Sequence, residues 1–440
     1  MKKKIAYSLG AIATALSYQA FSTYFIFFYV DVMKLSTLLA AIGVAIYGFW
    51  NAINDPLAGY ISDRTRTRCG RRIPYIATLC IPFGIVFALV WMPPVTSATM
   101  LWLFIYFLII INLHDTLYTI VILNWASLYP EMFPKVEERA EVNAFRQSFG
   151  MFGNMIGIAL PPLIYSTLGW KTMGIIFGTV IALAYLTTLT GSFEKKEFSL
   201  DKPLGIREAL RATFKNRSFL TFVSANLFVS FTYTVVLASI PFFAKYVLRV
   251  GARETSLILF TAFAVAIPMM FLWRFMAVKF GAKRSFMTAI LLFGLFAAPL
   301  LIVKGLLSTL IISGLMGSAL AGLILIVDIL IADIIDEDEI RTGVRREGMY
   351  FGVNAFITRF AIAMEAISMG IIFNLTKYNP YLTVQPEPVM VGLRILIAGL
   401  PLLAMLLAFG LMIFYPLSGI KLSEMRAQLA KLHQEKLSKI

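Results

Sequence analysis

The sequence predicts an all-α membrane protein of twelve transmembrane helices arranged as two pseudo-symmetric six-helix bundles. Three observations predict it. Of 440 residues, 59% are hydrophobic and only 14% charged, against about 25% charged in a soluble domain. Apolar stretches long enough to span a bilayer recur at 5–33, 37–60, 74–93, 98–129, 142–167, 171–193, 218–248, 255–278, 285–304, 306–335, 348–373 and 391–416. The longest internal polar segment, Glu194 to Arg217, divides these six and six, as in chains built from two related halves.

Lys2, Lys3 and Lys4 precede the first stretch, which has no small-residue cleavage site and reads as a span, not a removable signal. Its aromatic run, from Tyr24 to Tyr29, reads as packing against core and lipid. The second stretch carries Asn51, Asn54 and Asp55 at helical spacing, so the three share one face. Pro56 follows and removes the helical donor from the carbonyl of Ala52. A freed carbonyl and a carboxylate at membrane depth are materials for a cation site. An Asp left at mid-bilayer costs about 2.5–3.5 kcal/mol, so Asp55 is expected to face a partner or water.

The loop after this stretch holds Arg64, Arg66, Arg68, Arg71 and Arg72. With the N-terminus placed in the cytoplasm, this loop, the 194–217 segment, Lys279, Lys283, Arg284, Arg341, Arg345, Arg346 and the tail all fall inside. Few cations fall outside, so both termini are expected in the cytoplasm of a multi-pass cell-membrane protein. The net charge of +15 is thereby assigned to topology, and no nucleic-acid partner is expected. Cys69 and Cys80 lie in different environments and His114 and His433 stand alone, so neither a disulfide nor a metal centre is expected. No nucleophile–base pair has usable spacing, so the chain does not read as an enzyme. No cofactor is expected.

The expected domains are an N-terminal bundle over 1–193, a cytoplasmic linker over 194–217, a C-terminal bundle over 218–418 and an amphipathic cytoplasmic tail over 419–440. VNAF opens the fifth span at Val142–Phe145 and the eleventh at Val353–Phe356, at the same point of each half. In the tail, Leu422, Met425, Leu429 and Leu432 share a face, as in a helix lying on a membrane leaflet. The run Asp336–Glu339 reads either as a solvated loop or as part of a salt-bridge lock with Arg341, Arg345 and Arg346.

Gly59-Tyr-Ile-Ser-Asp63-Arg64 with Gly70-Arg71-Arg72 resembles the loop motif of the major facilitator superfamily, with extra residues between the Asp and the Gly. Together with Asn51-Ala-Ile-Asn-Asp-Pro56, Asn143-Ala-Phe-Arg146 and Ala332-Asp333-Ile-Ile-Asp336, the chain is similar to the glycoside–pentoside–hexuronide:cation symporter family along its whole length. The resemblance implies a major facilitator fold and cation-coupled symport of a sugar, glycoside or sugar acid by alternating access. It implies a coupling ion, Na+ or H+, at Asn51, Asn54, Asp55 and Thr119, with any Na+ centred on Asp55. Asn51 departs from the family, where a second Asp is usual. It implies substrate contacts at Arg146 and Arg359. Ala15 and Ile122 stand where the family has acidic residues, and Trp125 is adjacent to the position of a family Trp. Asp115 and Asp328 are further candidates for substrate contact, Asp328 by pairing with Arg359. Asp63, Arg64, Arg71, Arg72, Asp336 and Arg345 are candidates for gating.

The missing acids make the pocket less acidic than a disaccharide site, and two cations suit an anionic solute. An amphipathic lipid such as a lysophospholipid is therefore the alternative substrate, and a non-transporting receptor or scaffold a further one. A small-molecule substrate, the lipid bilayer and a monomeric state complete the expectation.

Overall fold

Each apolar stretch folds as helix in a computed structural model, which describes residues 1–67, 70–94, 99–133, 136–194, 216–342, 347–419, 421–425 and 427–429. The elements are α1 (Lys2–Ser8), α2 (Gly10–Ile26), α3 (Thr37–Arg64), α4 (Ile73–Val90), α5 (Met100–Met132), α6 (Val136–Ala159), α7 (Pro161–Gly191), α8 (Arg217–Phe242), α9 (Ala252–Phe280), α10 (Ala282–Ala297), α11 (Leu306–Thr342), α12 (Glu347–Leu375), α13 (Glu387–Arg394) and α14 (Leu400–Ile413). Wider π-helical turns continue α2 over Phe27–Val32, α8 over Phe243–Leu248 and α13 over Ile395–Gly399.

Among the described residues, eleven spans are long and apolar enough to cross a membrane. The remaining expected span is α6, which carries Glu137, Glu138, Arg139, Glu141 and Arg146. A Cβ at Gly153 would come 2.7 Å from the carbonyl oxygen of Ile12, and one at Gly157 2.8 Å from that of Leu16. This small-xxx-small pair lets the α6 backbone lie against α2, the usual basis of helix association in lipid. The fifth and sixth spans meet inside α7, where Gly169 leaves the helix with φ of +83°.

The membrane spans present two stripes. On α3, Tyr47, Asn51, Asn54, Ala58 and Ser62 are buried, while Phe49, Ile53, Leu57 and Ile61 are exposed. That spacing turns a polar seam inward and an apolar stripe outward.

The two halves of the chain end corresponding spans alike. Phe27-Phe-Tyr-Val-Asp-Val-Met-Lys34 and Phe242-Phe-Ala-Lys-Tyr-Val-Leu-Arg249 both wind through a π turn. Lys34 and Arg249 then take the left-handed conformation, with φ of +64° and +56°. Leu35 N donates to Tyr29 O at 2.8 Å and Val250 N to Ala244 O at 3.0 Å, the same bond in each copy. Lys377, at +57°, ends the eleventh span as Gly169 ends the fifth. A left-handed residue closing a helix satisfies its last carbonyls.

The described chain falls into two compact units, one of Met1–Lys202, Ala244–Phe260 and Met369–Pro386, the other of Pro203–Phe243, Thr261–Ser368 and Glu387–Ile440. In the second unit, polar contacts join the first part of α8 and its cap to α12. Asn216 Nδ2 donates to the Tyr350 hydroxyl at 3.5 Å and Asn226 Nδ2 to Asn354 Oδ1 at 2.9 Å. The acidic run Asp336–Glu339, read above as a loop or a lock, is helical within α11, and Asp338 and Glu339 are buried. In the tail, 421–425 and 427–429 are helical, with Met425 buried and Lys421 and Glu424 exposed. Leu432 and all of 430–440 lie outside the described residues, as do 195–215 of the linker.

Candidate functional site

The polar seam of α3 meets α5 in the first unit. Thr119 Oγ1 donates to Asp55 Oδ1 at 2.9 Å. One turn earlier, Asn51 Nδ2 donates to Asp115 Oδ1, and Asn54 Nδ2 donates to Asp115 Oδ2 at 3.1 Å and to its carbonyl at 3.2 Å. Asp115 and Thr119 are four apart, so they share a face of α5. The four residues expected to hold a cation thus stand together, and a fifth joins them. Asp115, read above as a substrate contact, belongs geometrically to this patch. It brings a carboxylate from α5 to the level of Asn51. Asn51, Asn54, Asp115 and Thr119 are all buried. The donor set is oxygen-rich, from carboxylate, carboxamide and hydroxyl groups, which suits a hard cation or a proton. No group of three or more His, Cys, Asp or Glu side chains suited to a metal ion occurs among the described residues.

Arg146, on α6, lies over two rings of α5. Its guanidinium carbon is 4.7 Å from the Trp125 centroid and 4.6 Å from that of Tyr129. Nε of Arg146 has no hydrogen-bond partner. Stacking on a ring face holds a guanidinium without using up its N–H groups. Trp125 is fixed from behind. Its Nε1 donates to the Tyr7 carbonyl at 3.1 Å, the Tyr7 hydroxyl donates to the Trp125 carbonyl at 2.8 Å, and the two rings stack. Trp125 therefore positions Arg146 and spends its polar atom on the α1–α2 break.

The second-half candidates do not assemble as expected. Asp328 is exposed on α11 and makes no ion pair with Arg359. Arg359 is half-buried on α12. Glu365, six residues on, is buried.

Of the gating candidates, Arg64 is exposed at the end of α3 and Asp336 half-buried on α11. The side chain of Asp63, and Arg345 as a whole, lie outside the described residues. Arg71 and Arg72 engage through their backbones. The Glu194 carboxylate accepts the N–H groups of Arg71, Arg72 and Ile73, each at 2.8 Å, and so caps the start of α4. An anion at a helix N-terminus meets unpaired N–H groups and the positive end of the dipole.

A further buried carboxylate went unread in the sequence. Asp31, 2% exposed, closes the π turn after α2. Its Oδ1 accepts from the hydroxyls of Tyr246 and Tyr378, the latter at 2.5 Å, and its Oδ2 from the Lys245 ammonium. Burial first, and then the Asp31 carboxylate beside it, hold the Tyr378 phenol above its ordinary range, so it stays a donor. The signal available was a lone acid at one span end and a lone Lys at the corresponding end of the seventh span.

Fold and site together define a class, a polytopic carrier with a buried ionisable patch between two helices. The backbone resembles the crystal structure of the nucleoside transporter NupG, with a TM-score of 0.68 over 94% of this chain and 99% of that one, at 13% identity. A family model described as MFS/sugar transport protein matches residues 6–419, and the chain belongs to that family. It is a multi-pass membrane transporter, not an enzyme. Relatives include the putative glycoside/cation symporter YagG of Escherichia coli (strain K12), 25% identical over 98% of this chain and 95% of that protein. The sodium-dependent lysophosphatidylcholine symporter 1-A of Danio rerio is 23% identical over 94% of this chain and 85% of its own length.

Proposed function

We propose that the protein carries a sugar, glycoside or sugar acid across the cell membrane together with a cation held at the α3–α5 patch. The observation that carries this reading is the pairing of Asp55 with Thr119 and of Asp115 with Asn51 and Asn54. Asp55 is the coupling carboxylate. Asp115 supplies from α5 the second negative charge that Asn51 does not, so the patch suits Na+ as well as H+. Arg146, clamped on Trp125 and Tyr129, is the first contact for a carboxylate or vicinal hydroxyls, with Arg359 as a second. Asp63, Arg64, Arg71, Arg72, Asp336 and Arg345 act in gating. The bundles run over 1–193 and 218–418, joined by a cytoplasmic linker, with both termini cytoplasmic, and the protein acts as a monomer.

One observation favours a second reading, an amphipathic lipid solute. A cleft of about 510 Å³ between α6, the start of α7 and α9 is walled by Ile156, Leu160, Leu163, Leu257 and Phe260, with Arg253 on its lining. An acyl chain suits such walls and a phosphate suits the cation.

Thermal unfolding of the purified protein separates these readings. A ligand at 100 times its Kd adds about 2.7 kcal/mol. Stabilisation by sugars or uronic acids, enhanced by Na+ or by lower pH, is expected. Stabilisation by lysophospholipids alone selects the second reading, and no response to any solute or ion removes both. In vesicles, Asp55→Asn is expected to keep solute exchange and lose uphill accumulation; accumulation equal to the wild type overturns the role of Asp55.

A further inference from the structure

Four contacts in the first unit tie residues 1–193 to segments from the second half of the sequence, and all four use span ends remote from the Arg64–Arg72 loop. The first is the Asp31 cluster. Lys245 and Tyr246 come from the end of the seventh span and Tyr378 follows the eleventh, and the Tyr246 and Tyr378 hydroxyls are 3.3 Å apart. The Lys245 ammonium also lies 4.8 Å from the Tyr246 ring centroid and 5.8 Å from that of Phe27. In the second contact, Lys34 donates to the Pro380 carbonyl and sits 5.6 Å over the Tyr381 ring. In the third, the Ser256 hydroxyl donates to the Ala159 carbonyl. The fourth is steric: a Cβ at Gly370 would come 2.7 Å from the Cβ of Ala41.

We propose that Asp31 is the keystone of a lock that shuts the carrier on the side away from its basic loop, by binding Lys245, Tyr246 and Tyr378 at once. Alternating access requires the two halves of the chain to part on one side while they meet on the other. A contact between the halves at these ends must therefore break in each cycle. The chemistry fits a reversible clasp. Asp31 is buried and fully served while the lock is shut, with an ammonium and two hydroxyls on its two oxygens. The Lys245 side chain is 43% exposed, so water reaches the cation and can replace the carboxylate as the clasp opens. Charge-assisted bonds of this type are strong yet exchange with water when uncovered. The π turns at 27–32 and 243–248 lie at the contact on both sides, and such turns recur at functional positions in helices.

The lock needs neither the solute nor the ion to be known, so its test is independent of the function proposed above. The full chain is placed in membranes with Cys69 and Cys80 replaced by alanine and with Ala41→Cys and Gly370→Cys introduced. Disulfide formation under mild oxidant, followed by mass spectrometry, reports how often these ends meet. Asp31→Asn is expected to slow it roughly tenfold, as for a conformational equilibrium shifted by one charge-assisted contact. Lys245→Gln, at a partly exposed position, is expected to slow it in the same direction and serves if Asp31→Asn fails to accumulate. The exchange Asp31→Lys with Lys245→Asp is expected to restore part of the rate. Crosslinking as fast as in the parent in both single variants overturns the lock.

Discussion

The ends of the first and seventh spans are two copies of one device with opposite chemistry. Both run Phe-Phe through a π turn to Val, an apolar residue and a basic residue with positive φ, and both close with the same backbone bond. Where one copy has Asp31, the other has Tyr246, and those two aligned residues bond to each other. A residue meeting its own counterpart is what a two-fold axis produces. The backbone of the repeat has been kept while the facing side chains have become complementary.

The second and eighth spans differ in the same way. When Pro56 is set against Pro268, Asn51 and Asn54 correspond to Phe263 and Ala266, and all four are buried. Asp55 corresponds to Ile267, which is 40% exposed. Burial is shared at the first two of these positions, yet only the first copy is polar. The polar seam therefore belongs to the second span alone, and the eighth keeps an apolar counterpart.

Four substitutions press on this comparison. The largest effect is expected from Ile267→Asp, which copies Asp55 into a lipid-facing position without Thr119 or its neighbours. It should cost about 2.5–3.5 kcal/mol and lower the yield of inserted protein; a variant as stable as the parent would mean that α9 does offer partners. Gly157→Val tests the approach of α6 to α2. Its Cβ meets the Leu16 carbonyl, so a loss of about 1–3 kcal/mol is expected in thermal unfolding, and an unchanged midpoint would contradict the close packing. The smallest effect is expected from Arg249→Gly. Glycine takes the left-handed conformation without strain, so stability should rise by about 0.5–1 kcal/mol. Gly169→Ala should shift it the other way, and a fall on both changes would argue against the shared termination.

The spans, their six-and-six division and the α3 patch were legible because each rests on local spacing. Asn51, Asn54 and Asp55 share a face by arithmetic alone, and hydropathy marks the helices. The family's loop motif pointed to the fold. Other features depend on which helices touch. Asp115 sits 60 residues beyond Asp55, and nothing in its own span shows that two carboxamides of α3 will hold it. Asp31 finds Lys245 and Tyr378 across most of the chain. Asp328 looked like a partner for Arg359 because each is a lone charge in an apolar run, yet α11 turns it outward. Lys34, Arg249 and Lys377 terminate helices without glycine, so their left-handed backbone leaves no compositional trace. The acidic run at 336–339 extends α11 because buried positions, not charge density, decide where that helix ends.

The polar contacts between α8 and α12 bear on how the chain is made. Asn226 and Asn354 are separated by 128 residues, and Asn216 and Tyr350 by 134. At about 5–20 residues per second, a nascent α8 waits on the order of 10 s before those partners emerge from the ribosome. During that interval its amides must be shielded by the insertion machinery or by water, since hydrocarbon offers them nothing. The release of the seventh span into the bilayer is thus tied to the synthesis of a much later segment. A chain truncated before the eleventh span should be held longest at the translocon, and degraded there soonest.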